Sequence, residues 1–201
     1  MSEVELPSLP SGLRWVNPPV SWRVEAGGAL TITAGGGTDW FCAPDRSVRT
    51  LNAPAAVMTP TDDRFVLSAE VAVDFASPSD AGCLVAYSDE AHWAKLCFES
   101  SPTDRPMVVS VVTRGLSDDC NSAEVEGKTV GLRLAATPEW IAFHYSLDGR
   151  FWHFVRFFAL DRPGPLAVGF LAQSPTGRSC TARFDSIHYR AGGLANLRDG
   201  A

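Results

Sequence analysis

From Leu13 to Tyr189 the apolar residues fall at alternate positions in short runs, and nowhere do they recur at helical spacing for more than two turns. Alternation with period two is what a half-buried strand needs, and about a dozen such runs occur. Gly, Pro and Asp-Gly stand between the runs, as strand connections require. The pattern predicts an all-β sandwich of two packed antiparallel sheets with little or no helix. A length of 201 residues suits one large sandwich. No internal repeat or interior linker divides it. The expected layout is an N-terminal arm over 1–11, loosely held, a sandwich over 12–191 and a tail over 192–201 whose few apolar residues have no evident partner.

Phe65 to Phe75 illustrates the pattern, with Phe65, Leu67, Ala69, Val71, Val73 and Phe75 on one face. Residues 43–64 hold three prolines and read as a long irregular loop, the kind that often forms a functional rim. Gly35-Gly36-Gly37 leads into Asp39-Trp40, but no helix pattern and no Gly-Lys-Ser/Thr follows, so a flexible turn is expected rather than a phosphate loop. The most informative stretch is Gly82 to Asp119, read as three strands ending in a short acidic loop. On its middle strand Trp93, Lys95, Cys97 and Glu99 point one way and Ala94, Leu96 and Phe98 the other. Burying both ions costs several kcal/mol each, and exposing Leu96 and Phe98 forfeits roughly 1.5–3 kcal/mol each. The apolar set therefore belongs between the sheets, and Trp93, Lys95 and Glu99 are expected on an open, ligand-facing side.

The net charge of −6 argues against nucleic acid, whose phosphates require a basic stripe. Cys42, Cys83, Cys97, Cys120 and Cys180 form no Cys-x-x-Cys pair. Their odd number and wide spacing suit reduced thiols and a cytoplasmic location. Residues 1–12 lack a basic segment and an apolar run, so no leader is expected. No apolar run approaches the roughly 20 residues of a membrane span.

His92-Trp93-Ala94-Lys95 with Glu99, Val108 to Thr113 with Ser117-Asp118, Tyr145 to Gly149 with Trp152, and Val168-Gly169-Phe170 with Ser174-Pro175 together form a set. It resembles the concanavalin A-like family of unknown function that includes the yeast regulator of enolase, over roughly residues 12–190. The resemblance implies a jelly roll with one concave face, and little about activity. Thr38-Asp39-Trp40-Phe41 is similar to the family's N-terminal Asp-Trp motif. In the family pattern an aromatic, usually Trp, follows the Ser-Asp pair; here Asp119 stands in its place.

The candidate ligand-binding residues are Asp39, Trp40, Trp93, Lys95, Glu99, Thr113 and Asp118. A flat ring with charged groups around it suits a carbohydrate or another small polar metabolite; a protein segment is a further possible partner. A non-catalytic intracellular binding or regulatory module is the first expectation. The alternative is an enzyme acting on a glycoside, with Glu99, Asp118 or Asp39 as acid and base. The hydrolase pattern Glu-x-Asp-x-x-Glu and the Gly-x-Ser-x-Gly elbow are both missing. No cofactor motif appears. A calcium site at Ser117-Asp118-Asp119 with Glu124 and Glu126 lacks a spaced-Asp loop, so no metal is expected. Asp148-Gly149 predicts a turn. An even-length loop there places Tyr145 opposite Trp152 and a solvated His144 opposite His153.

Overall fold

Alternating apolar residues build two seven-stranded antiparallel sheets in this computed structural model, which describes residues 3–198. The first sheet runs β1 (Arg14–Trp15), β6 (Ala55–Met58), β15 (Ala167–Gln173), β8 (Ala81–Asp89), β9 (His92–Ser100), β10 (Pro106–Arg114), β11 (Leu116–Glu124). The second runs β14 (His153–Phe158), β13 (Ile141–Ser146), β12 (Thr129–Ala136), β7 (Phe65–Val73), β16 (Ser179–Ala191), β3 (Leu30–Gly35), β2 (Ser21–Val24). The described residues contain no helix, so the molecule is an all-β jelly-roll sandwich. None of them forms a helix long and apolar enough to cross a membrane.

The main core lies between the sheets. Leu84, Leu96, Phe98 and Phe170 of the first sheet meet Leu67, Leu132, Phe143 and Phe184 of the second. The rings of Phe170 and Phe184 stand 5.0 Å apart across the gap. A second apolar cluster sits on the other side of the first sheet, around Trp40, Val85, Trp93, Cys97 and Leu171. Its roof is a small two-stranded flap, β4 (Trp40–Cys42) paired with β5 (Arg49–Leu51).

Four expectations are corrected. The segment 43–64 is not one irregular loop, because it holds β5 and β6, two strands too short for their alternation to show. The acidic stretch after Arg114 is strand β11, paired along β10. Residues 3–11 are not loosely held: Val4 and Leu6 are buried in the main core, and Val4 bridges Leu13.

The fourth concerns the hairpin β13–β14, which has the other register. Tyr145 faces His153, and His144 faces Phe154. Gly149 takes the left-handed conformation (φ 71°), and Asp148 Oδ1 accepts hydrogen bonds from the amides of Arg150 and Phe151. These contacts lengthen the loop by one residue. Tyr145 therefore packs toward the core, while Trp152 lies on the outer face beside Gly131. His144 does face outward but is fully buried, because the tail crosses it: its Nε2–H donates to the Leu197 carbonyl at 2.7 Å.

Candidate functional site

Strand β9 alternates as its sequence requires. Ala94, Leu96 and Phe98 enter the inter-sheet core, and Trp93, Lys95, Cys97 and Glu99 take the outer face. That face is not open along its length, however. Trp93 is 0% exposed, its ring 5.6 Å from Trp40, which also meets Tyr87 at 5.4 Å. Trp40 in turn anchors the flap by donating its indole N–H to the Ala53 carbonyl at 3.0 Å. Thr113, opposite Trp93 on β10, is buried too, and its hydroxyl lies 2.8 Å from that of Ser117. Ser117 Oγ accepts the backbone N–H of Cys42 at 2.9 Å, tying flap to sheet. Trp40, Trp93 and Thr113 are therefore packing residues and are removed from the ligand-facing set. The physical reason is that covering two indoles with a flap recovers more apolar area than leaving either in water.

Beyond the flap the sheet stays accessible in a groove of about 300 Å³. Lys95 forms its floor, 2% exposed, with Nζ 2.9 Å from Asp39 Oδ1 and 2.6 Å from Gln173 Oε1. Gln173 is oriented by donating its amide to the Ser79 carbonyl at 3.1 Å. Burial is the largest influence and pushes the Lys95 ammonium down, but Asp39, then Cys97, Cys83 and Glu99 push it up, and together they make the net shift upward. Glu99, partly buried in the same groove, moves up to about 7. Burial is the main cause; Lys95 opposes it, and the carboxylates of Asp39 and Asp119 add to it.

The register β9–β10–β11 decides which acid joins Glu99. Lys95, Val111 and Asp119 stand in one row, so Asp119 lines the groove. Asp118 faces the opposite side, where its Oδ2 accepts from Arg156 Nη2 at 2.7 Å and links β11 to β14. Asp118 is therefore not on the ligand-facing side. Since Asp118 and Asp119 diverge on a strand, they cannot close on one cation; among the described residues no three His, Cys, Asp or Glu side chains gather as metal ligands. Of the expected residues, Asp39, Lys95 and Glu99 come together. Phe41, Asn121 and Gln173 join them in the groove and were not foreseen. Phe41 and Asn121 follow from alternation once β4 and β11 are recognised as strands; Gln173 carried no sequence signal. The groove offers carboxylate and amide groups to hydroxyls, and the half-buried ring of Phe41 on one wall.

Residues 15–191 match the family described as "Protein of unknown function (DUF1349)". The chain belongs to the DUF1349 family. Among solved structures, this DUF1349 protein is similar to a functionally unknown protein from Saccharomyces cerevisiae, with 23% identity and a TM-score of 0.82. The match covers 90% of this chain and 96% of the yeast one. It is also similar to the GH43 BlXynB protein from Bacillus licheniformis at 18% identity and a TM-score of 0.70. That match covers 90% of this chain but only 37% of the longer GH43 chain. An alginate lyase from Klebsiella pneumoniae shares 13% identity over 85% of this chain and 84% of that one, with a TM-score of 0.53. At these identities the likenesses establish the fold. No curated protein matches the chain.

Proposed function

We propose that this DUF1349 protein is a binding module, acting inside the cell, that takes a neutral saccharide or similar polyol in the groove beside the flap. One observation carries the reading: charged Lys95 is buried at the floor of an open groove, with Asp39 and Gln173 on it and Glu99 in the same cavity. A buried ion pair adds little stability over an apolar pair of equal volume. Convergent polar groups in a cleft are what orient a small ligand. The groove lies at the low end of the roughly 300–1,000 Å³ range of such sites, the size of a short ligand. Phe41 supplies an apolar plate for a sugar ring, and Glu99, Asp119 and Asn121 stand where hydroxyls would meet them. The intracellular part rests on the odd number and wide spacing of the cysteines.

The test is a thermal-melt and calorimetric screen against xylose, arabinose, glucose, xylobiose and cellobiose. A bound sugar raises the melting temperature, because a ligand of the folded state alone stabilises it. The effect should disappear in Phe41→Ala and Asp119→Ala, both at the groove rim. A screen in which no sugar moves the wild-type melt, or in which the shift survives both substitutions, overturns the assignment.

A hydrolytic reading draws on a single feature, the Glu99 carboxyl raised to about 7 near two other acids. A group titrating near neutrality is suited to general acid–base work. Release of nitrophenol from aryl xyloside, arabinoside or glucoside, lost in Glu99→Gln, would replace the binding module with an enzyme. The likeness to GH43 proteins does not transfer their chemistry, since it spans about a third of their length.

A further inference from the structure

The outer face of the second sheet, on the far side of the molecule from the groove, holds a cavity of about 350 Å³ that the proposed function does not use. It lies where the chain departs from regular pairing. The β16–β7 ladder shifts register between Asp185 and His188, and Ser186 in the bulge has a φ of 47°. A bulge re-aims side chains, and a left-handed serine is a strain that the surrounding structure must hold. Ser186 and His188 both line the cavity as a result.

The opposite wall is Trp152. Its ring is held by Arg133, which does not line the cavity and whose guanidinium carbon lies 4.5 Å from the ring centroid. The indole lies against β12 at Gly131, where a Cβ would stand 3.4 Å from the ring. Arg133 itself is 6% exposed, and among the described residues its Nε and Nη2 have no hydrogen-bond partner. Its one charged neighbour of consequence is another cation, Arg190. A buried guanidinium without a counter-ion costs stability that an apolar residue on the same face would not. Its visible service is to fix the plane of Trp152.

The chemistry of the cavity selects the ligand. Ser68, Glu70, Ser186 and His188 offer donors and acceptors around one flat ring. Glu70 and Asp148 disfavour an anion. Arg133 already occupies Trp152, which disfavours a second cation on that ring. We infer that this cavity is a second binding site, for a neutral saccharide whose ring stacks on Trp152 while its hydroxyls meet Glu70, Ser68 and His188.

The experiment is an amide-resolved NMR titration of the whole chain with maltose, cellobiose and xylobiose, and with glucuronate and glucosamine as charged comparators. A neutral disaccharide should saturably shift the amides of Gly131, Ser146 to His153, Ser186 and His188. Trp152→Ala should weaken that binding by about tenfold or more. Glu70→Ala, at an exposed position, should weaken it severalfold with the fold intact, and Phe41→Ala in the other groove should leave it unchanged. Three outcomes overturn the inference: none of the three disaccharides moves these amides, the shifts persist in both Trp152→Ala and Glu70→Ala, or a charged sugar binds more tightly. Shifts at Lys95, Glu99 and Val111 report on the groove separately, so either site can fail alone.

Discussion

Lys95 and Glu99 sit four residues apart on one strand, and the same burial acts on them with opposite outcomes. Lys95 keeps its charge because Asp39 touches it at 2.9 Å; Glu99 has its proton held to higher pH. The two partners of the ion pair are not equally replaceable. Asp39→Ala strands an ammonium whose side chain is 3% exposed, a loss of about 3 kcal/mol or more. Lys95→Met leaves Asp39, 22% exposed and able to reach water, and should cost only about 1 kcal/mol. Urea denaturation of the two variants should give that order, and the reverse order would mean the charge on Lys95 is not held by Asp39.

The pH dependence follows from two residues with opposite signs. Glu99 is raised from 4.5 to about 7, so the folded state binds its proton more tightly and stability falls as pH rises through that window. His144 is lowered from 6.5 to about 4, by burial first and then by Arg133, against the favourable bond to Leu197. Its proton is bound more tightly in the unfolded chain, so stability rises with pH from about 4 to 6.5. The two slopes offset each other where the windows overlap. In Glu99→Gln the falling slope is gone, and the unfolding free energy from urea denaturation should climb with pH between about 4.5 and 6.5, by an amount on the order of 1–2 kcal/mol. A variant with the same profile as wild type would show that Glu99 titrates normally.

At the scale of elements, the flap converts the outer face of the first sheet from a surface into a second core. Strands β4 and β5 contribute three residues each, too few to be stable alone. They hold through Trp40 on Trp93, the Cys42–Ser117 bond and the Asp39–Lys95 pair. Trp93→Ala removes the surface on which the flap rests, and a cavity of that kind costs about 3–5 kcal/mol. Thermal melting should register it as a large loss of stability. A variant that melts like wild type would return Trp93 to the open face and make it a ligand contact after all.

For the whole molecule, one continuous core joins the long strands of both sheets apart from β11, and the flap segment is bonded to side chains of β9 and β11. Unfolding should therefore be a single cooperative transition. Far-ultraviolet dichroism, which follows the sheets, and near-ultraviolet dichroism, to which the packed rings of Trp40 and Trp93 contribute, should give coincident curves. An earlier near-ultraviolet transition would mean that the flap melts separately.

Alternation alone was enough to determine the sandwich class and which face of β7 and β9 enters the main core, because a one-residue slip would expose Leu96 and Phe98 and bury charge in the main core. The faces of Phe65 to Val73 and of β9 follow from the same rule. What covers the outer face was a tertiary matter. Trp93 alternates with core residues whether or not a flap lies over it, and β4–β5 is too short to announce itself by periodicity. The choice of Asp119 over Asp118 depended on whether the acidic stretch is loop or strand, which its pairing with β10 decides. The hairpin register turned on one left-handed glycine and one aspartate side chain bonded to two amides, a difference of a single residue that composition cannot express. Gln173 and Asp39 reach Lys95 from positions 78 and 56 residues away along the chain, and only the placing of β15 across β8 from β9, with the flap docked on the same face, brings them there.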